Sequence, residues 1–112
     1  FYRPEFLLHT RALAEQGRAE LAAEQLQQWV AERPSDAGVW LALSQVNTRL
    51  GRTAQSVRAQ AEASVAHYDY GMALAYLRSA RNLQRQNLVE ASILDARIKE
   101  VEALQKWQDE SS

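Results

Sequence analysis

A chain of 112 residues is long enough for one hydrophobic core and too short for two independent ones, so it reads as a single domain. Thirteen basic against fourteen acidic residues leave a formal net charge of −1, which supplies no long-range field toward nucleic acid or an anionic membrane and makes neither an expected partner. With no cysteine, disulfides, thiolate nucleophiles and thiolate metal ligands are excluded, and reducing and oxidising compartments fit equally well. No uncharged apolar run is long enough to span a bilayer, and no basic, apolar, small-residue order opens the chain as in a signal peptide. Residue 1 is Phe rather than Met, which points to a processed product or a piece of something longer. The abundance of Ala, Leu, Glu, Gln and Arg favours helix, and the only prolines are Pro4 and Pro34.

Pro4 suits the first turn of a helix running to about Gln16, with Phe6, Leu7, Leu13 and Ala14 on the buried side and Gly17 as its stop. A second helix from Arg18 to about Glu32 carries Leu21, Ala22, Leu26, Trp29 and Val30 at helical spacing and breaks at Pro34. Ser35 and Asp36 start a third, striped by Trp40, Leu43, Val46 and Leu50 and closed by Gly51. Thr53 is expected to cap a fourth helix to about His67, whose Ala59, Ala63 and Ala66 allow close approach of neighbours. Asp69 is expected to cap a fifth through Met72, Ala73, Leu74, Leu77 and Ala80, ending near Arg85 and Gln86. Asn87 and Glu90 have capping-box spacing and open a sixth, with Leu94, Ile98, Val101 and Leu104 as its stripe to about Trp107. Residues 109–112 are read as a polar tail.

Sliding the sequence by 34 residues lays Phe6 under Trp40 and Gly17 under Gly51. Paired helices returning at that period match a helix-turn-helix solenoid, in which each pair covers its neighbour's apolar face. Trp40, Leu43 and Ser44 with Gly51, then Ala22 and Leu26 with Pro34, then Ala73, Leu77 and Ala80, give this chain a pattern that resembles the tetratricopeptide repeat (TPR) family. The resemblance implies an all-α, right-handed solenoid of about six antiparallel helices over residues 1–108, paired as about 4–33, 36–67 and 70–107. His9, Thr10 and Trp29 depart from the family pattern, and no proline follows the fourth helix. Two registers of the third repeat stay open: helices five and six as a pair, or "HYDYGMALAYLRSA" as the turn and second helix of a repeat begun by helix four. The closing "ASILDARIKEVEAL" also resembles the end of the TPR region in bacterial periplasmic zinc metalloproteases of outer-membrane quality control. That resemblance implies a periplasmic, non-catalytic, substrate-recruiting or regulatory domain, with the parent's catalytic domain or outer-membrane proteins as partners. A cytoplasmic location is the alternative.

A zinc peptidase needs two histidines one helical turn apart with a glutamate between, and this chain has only His9 and His67. Neither a nucleophile elbow nor a Gly-rich phosphate loop occurs, so no catalytic residue, metal or cofactor is expected. In TPR proteins a peptide or partner protein lies in the groove formed by the first helix of each pair. Carried over in strict phase, the groove residues are Leu7, Leu8 and Arg11, then Leu41, Gln45 and Arg49, then Tyr76, Ser79 and Asn82. Arg11 and Arg49 would select acidic partners. The carboxylate clamp of chaperone-binding relatives is disfavoured, because Leu7, Arg11, Gly38 and Ala42 stand at four of its sites. Arg78, Arg81 and Arg85 share a face of helix five and form either a cationic strip for a carboxylate or an ordinary face paired with acids on helix six. Trp29 and Trp40 read as wedges between helices, whereas Trp107 either caps the last helix or meets another domain or subunit.

Overall fold

Six helices carry the computed structural model, which describes residues 2–111: α1 (Arg3–Glu15), α2 (Ala19–Glu32), α3 (Ala37–Arg49), α4 (Thr53–Ala66), α5 (Tyr70–Leu83) and α6 (Leu88–Ser111). Phe1 and Ser112, the outermost residues of the expected domain and tail, lie outside the described residues. No strand occurs among the described residues, and the class is all-α.

Three of the helices, α3, α5 and α6, start where a short polar side chain occupies a free N–H group. Asp36 Oδ1 accepts from the Val39 N–H at 3.3 Å, Asp69 Oδ1 from Met72 at 3.1 Å and Asn87 Oδ1 from Glu90 at 3.2 Å. Thr53 is not a cap. Arg52 holds that position without a side-chain hydrogen bond, because its own N–H closes the preceding turn onto the Asn47 carbonyl at 2.8 Å and leaves Thr53 as the first helical residue.

Three helices stop in the same way. At Gly17 (φ +79°) the glycine N–H donates to the Ala14 carbonyl and Arg18 N–H to that of Leu13; at Gly51 (φ +75°) the donors are Gly51 and Arg52 and the acceptors Thr48 and Asn47. Each is a Schellman turn, whose left-handed residue glycine adopts without a Cβ penalty. Tyr68 (φ 62°) closes α4 identically, with its N–H on Val65 and that of Asp69 on Ser64. A residue with a Cβ in that conformation costs about 1 kcal/mol; Gln108 of α6 donates to the Tyr68 carbonyl at 3.0 Å and holds the turn. α5 ends at Leu83, short of Arg85, and α6 continues as helix through Asp109, Glu110 and Ser111, which the composition had marked as tail.

Consecutive helices pack on one another, and α1 also touches α3. The result measures 45 × 35 × 18 Å, about two helix diameters in its thinnest direction. Its apolar interior falls into two clusters. Phe6, Leu13, Leu26, Val30, Val39 and Leu43 dominate the first, and Tyr70, Leu74, Leu77, Leu94 and Val101 the second. α4 serves both, Ala59 in the first cluster and Ala61 in the second, since small side chains let flanking helices close in from two sides.

Trp40 packs half-buried against the first cluster beside the buried ridge of Val39, Leu43 and Val46, and donates its indole N–H to the Pro34 carbonyl at 2.9 Å. One stripe position differs from expectation. Met72 is 48% exposed, because the inward face of α5 passes through Tyr70, Ala73, Leu74 and Leu77.

Polar ties stitch the helices where they cross. Ser56 of α4 donates to the Ser44 carbonyl at 2.9 Å, and its hydroxyl lies 2.9 Å from that of Ser44 and 2.7 Å from that of Thr48. Glu62 of α4, buried, takes both ends of the Arg97 guanidinium from α6 at 2.7 and 3.0 Å. This holds the Arg97 pKa above its ordinary value. Asp36 collects Arg3 from α1 through two hydrogen bonds (2.9 and 2.8 Å) and the Trp29 indole N–H from α2 at 2.9 Å. Trp29 in turn stacks on Phe6, ring centroids 4.3 Å apart, with the Arg33 guanidinium 4.0 Å from the Trp29 ring centroid.

Candidate functional site

A hollow of about 510 Å³ opens between α1 and α3. α1 contributes Leu7, Thr10, Arg11, Ala14 and Glu15; α3 contributes Ala42, Gln45, Val46 and Arg49; Leu26 of α2 also lines it. Residues 7 and 11, and likewise 45 and 49, stand one helical turn apart, so each pair shares a face. Thr10, Ala14, Leu26 and Val46 are buried around it, and Thr10 turns its hydroxyl back onto the Leu7 carbonyl at 3.1 Å, which leaves the wall there apolar.

Four of the nine expected groove residues therefore meet in one place: Leu7, Arg11, Gln45 and Arg49. Leu8 (67% exposed) and Leu41 (46%) do not line the hollow. Nor do Tyr76, Ser79 and Asn82. Tyr76 packs half-buried on the second cluster, and Ser79 and Asn82 lie exposed on α5. Strict 34-residue phasing pairs Leu7 with Leu41, whereas the hollow takes Ala42, the next residue along α3, in its place. Glu15 was missed. It accepts from Arg11 Nε at 3.2 Å, the i,i+4 spacing that makes such a pair visible in sequence.

The charges of the hollow do not cancel. Two guanidinium groups, Arg11 and Arg49, face one carboxylate, Glu15, leaving one positive charge. The Arg11–Glu15 pair is exposed and weak, and Arg49 makes no ion pair within 4 Å among the described residues. What the site can do chemically is accept a carboxylate at Arg49 with apolar contact beside it.

A second hollow of about 490 Å³ lies on the other side of α3, between α2 and α4. Its acids Glu20 and Glu24 balance Arg52 and Arg58, and Arg52 approaches Glu20 at 4.0 Å, so it presents no net charge.

The arginines of α5 are largely engaged. Arg78 meets Glu102 at 3.2 Å, and Arg81 meets both oxygens of Asp95 at 3.0 and 3.3 Å, which raises the Arg81 pKa above its ordinary value. Arg85 is exposed and makes no ion pair within 4 Å among the described residues. This is the arrangement of a helix face paired with acids on its neighbour. No group of three or more His, Asp or Glu that could hold a metal ion occurs among the described residues, and no helix there is long and apolar enough to cross a membrane. No known family profile matches the chain, and no curated protein matches it.

Proposed function

We propose that this chain is a protein-interaction module, a TPR-like right-handed stack of helical hairpins, that takes an acidic, partly apolar peptide segment in the hollow between α1 and α3. The observation that carries the reading is Arg49, a guanidinium without an acidic partner among the described residues, beside an apolar wall. Two features support the TPR-like stack: identical Schellman turns at Gly17 and Gly51, one 34-residue period apart, and contact passing from each helix to the next. Leu7, Ala14 and Val46 supply non-directional contact, and Arg11 and Arg49 choose the charge.

The test uses ten-residue labelled peptides that alternate Leu with Asp or Glu, against the same peptides carrying Asn or Gln. A charge-assisted hydrogen bond is worth roughly 1.5–3 kcal/mol, so the acidic peptides should bind about tenfold or more tighter. Arg11→Ala combined with Arg49→Ala should erase that preference while leaving the helical circular dichroism signal unchanged. Equal affinity for acid and amide peptides, or a preference that survives the double substitution, removes this hollow as the site.

A further inference from the structure

α6 is apolar on two opposite sides. Ala91, Leu94, Ile98 and Val101 recur at three- and four-residue spacing and turn inward, buried or half-buried on the α5 side. On the opposite side of the helix stand Val89, Ile93 and Ala96 and, farther on, Ala103 and Trp107, interrupted by one acid, Glu100, and all of them exposed. Val89 is 70% exposed, Ile93 42% and Trp107 65%. Their spacing alternates four and three residues without a break, the 3.5-residue period of a two-stranded coiled-coil seam. A helix apolar on both sides is suited to lie between two layers, and here one layer is α5.

We propose that the outer face of α6 joins a second copy of this chain, the two α6 helices running antiparallel about a twofold axis at the level of Ile98. Bulk decides the direction. In the antiparallel register Val89 meets the partner's Trp107, Ile93 the partner's Ala103, and Ala96 the partner's Glu100, so large side chains face smaller ones. A parallel pair would set Trp107 on Trp107 and Glu100 on Glu100, which overfills one layer and repels in another. Each central Glu100 meets Arg97 of its own chain at 3.0 Å, so the carboxylate enters the seam with a cation beside it.

The seam spans roughly 27 Å of helix, and two such stripes cover about 1,000 Å² in total, the lower end of what a specific pair of proteins buries. The dimer is accordingly weak, with a dissociation constant on the order of micromolar.

Sedimentation of the full chain from about 5 μM to about 500 μM brackets that range and should show the mass rising from one chain to two. Ile93→Lys, an exposed position, should raise the dissociation constant at least about tenfold with unchanged helical circular dichroism. Orientation is read separately. Because the chain has no cysteine, Ile93→Cys mixed with Ala103→Cys should cross-link under mild oxidation faster than either variant alone. A monomer mass throughout, or a dissociation constant indifferent to Ile93→Lys, overturns the dimer; faster self-linking of Ile93→Cys overturns the antiparallel register.

Discussion

Asp36 shows how much one side chain can be asked to hold. It caps α3 through Val39, receives both nitrogens of the Arg3 fork from α1, and takes the Trp29 indole from α2, while its own side chain is only 14% exposed. The Arg3 hydrogen bonds are the largest influence on its proton, with Trp29 and Val39 adding to them and burial opposing; together they hold the carboxyl at about 2, well below its ordinary value. A carboxyl depressed in the folded state contributes stability that is full above its unfolded pKa and disappears as pH falls through the folded one. The window therefore runs from about pH 5 down to about pH 2, and the contribution is on the order of 2 kcal/mol. Denaturant melts of the parent and of Asp36→Asn across this window should converge toward low pH, the parent losing that margin and the variant keeping a flatter profile. Parallel profiles would mean that Asp36 keeps an ordinary pKa in the folded chain.

α4 carries the joint between the two halves of the interior, and it does so with little bulk of its own. Its alanines let α3 and α5 approach, so the specificity of the crossing passes to Ser56 on one side and Glu62 on the other. Arg97 is the only cation with both ends on Glu62 among the described hydrogen bonds, and removing it strands a buried carboxylate. Arg97→Ala should cost about 2–3 kcal/mol in denaturant melts, whereas Arg78→Ala, whose pair with Glu102 is half-exposed, should cost no more than about 0.5 kcal/mol. Equal losses would show that burial of the Glu62 pair is immaterial. Features that depend on a few neighbouring residues were legible in the sequence: the caps at Asp36, Asp69 and Asn87, the stops at Gly17 and Gly51, and the apolar stripes of α2 and α6. Those that depend on how one helix rotates against another were not. Val39 joined the buried ridge of α3 beside Trp40, the hollow between α1 and α3 gathered Arg49 with Arg11 while leaving out Leu41, and Tyr76 turned toward the core. Tyr68 in a left-handed turn had no glycine to announce it.

Across the whole molecule, contact is passed along rather than shared. α1 is held by α2 and, more lightly, by α3, and its apolar anchor Phe6 belongs to the first cluster alone, stacked on Trp29. The second cluster draws on α4, α5 and α6. An interior divided this way should not lose all its parts together when one end is loosened, because stability in a chain of neighbour contacts is set locally. Phe6→Ala removes a buried ring from the first cluster, a loss of about 3 kcal/mol or more at that end. Native-state hydrogen exchange should then show the amides of α1 and α2 losing protection by about a hundredfold, as that energy implies. Amides near Leu74 and Leu77 in α5 should change by less than about threefold, since none of the contacts around them includes α1. If the α5 amides lose as much protection as those of α1, the six helices open as one cooperative unit, and the division of the interior at α4 has no energetic meaning.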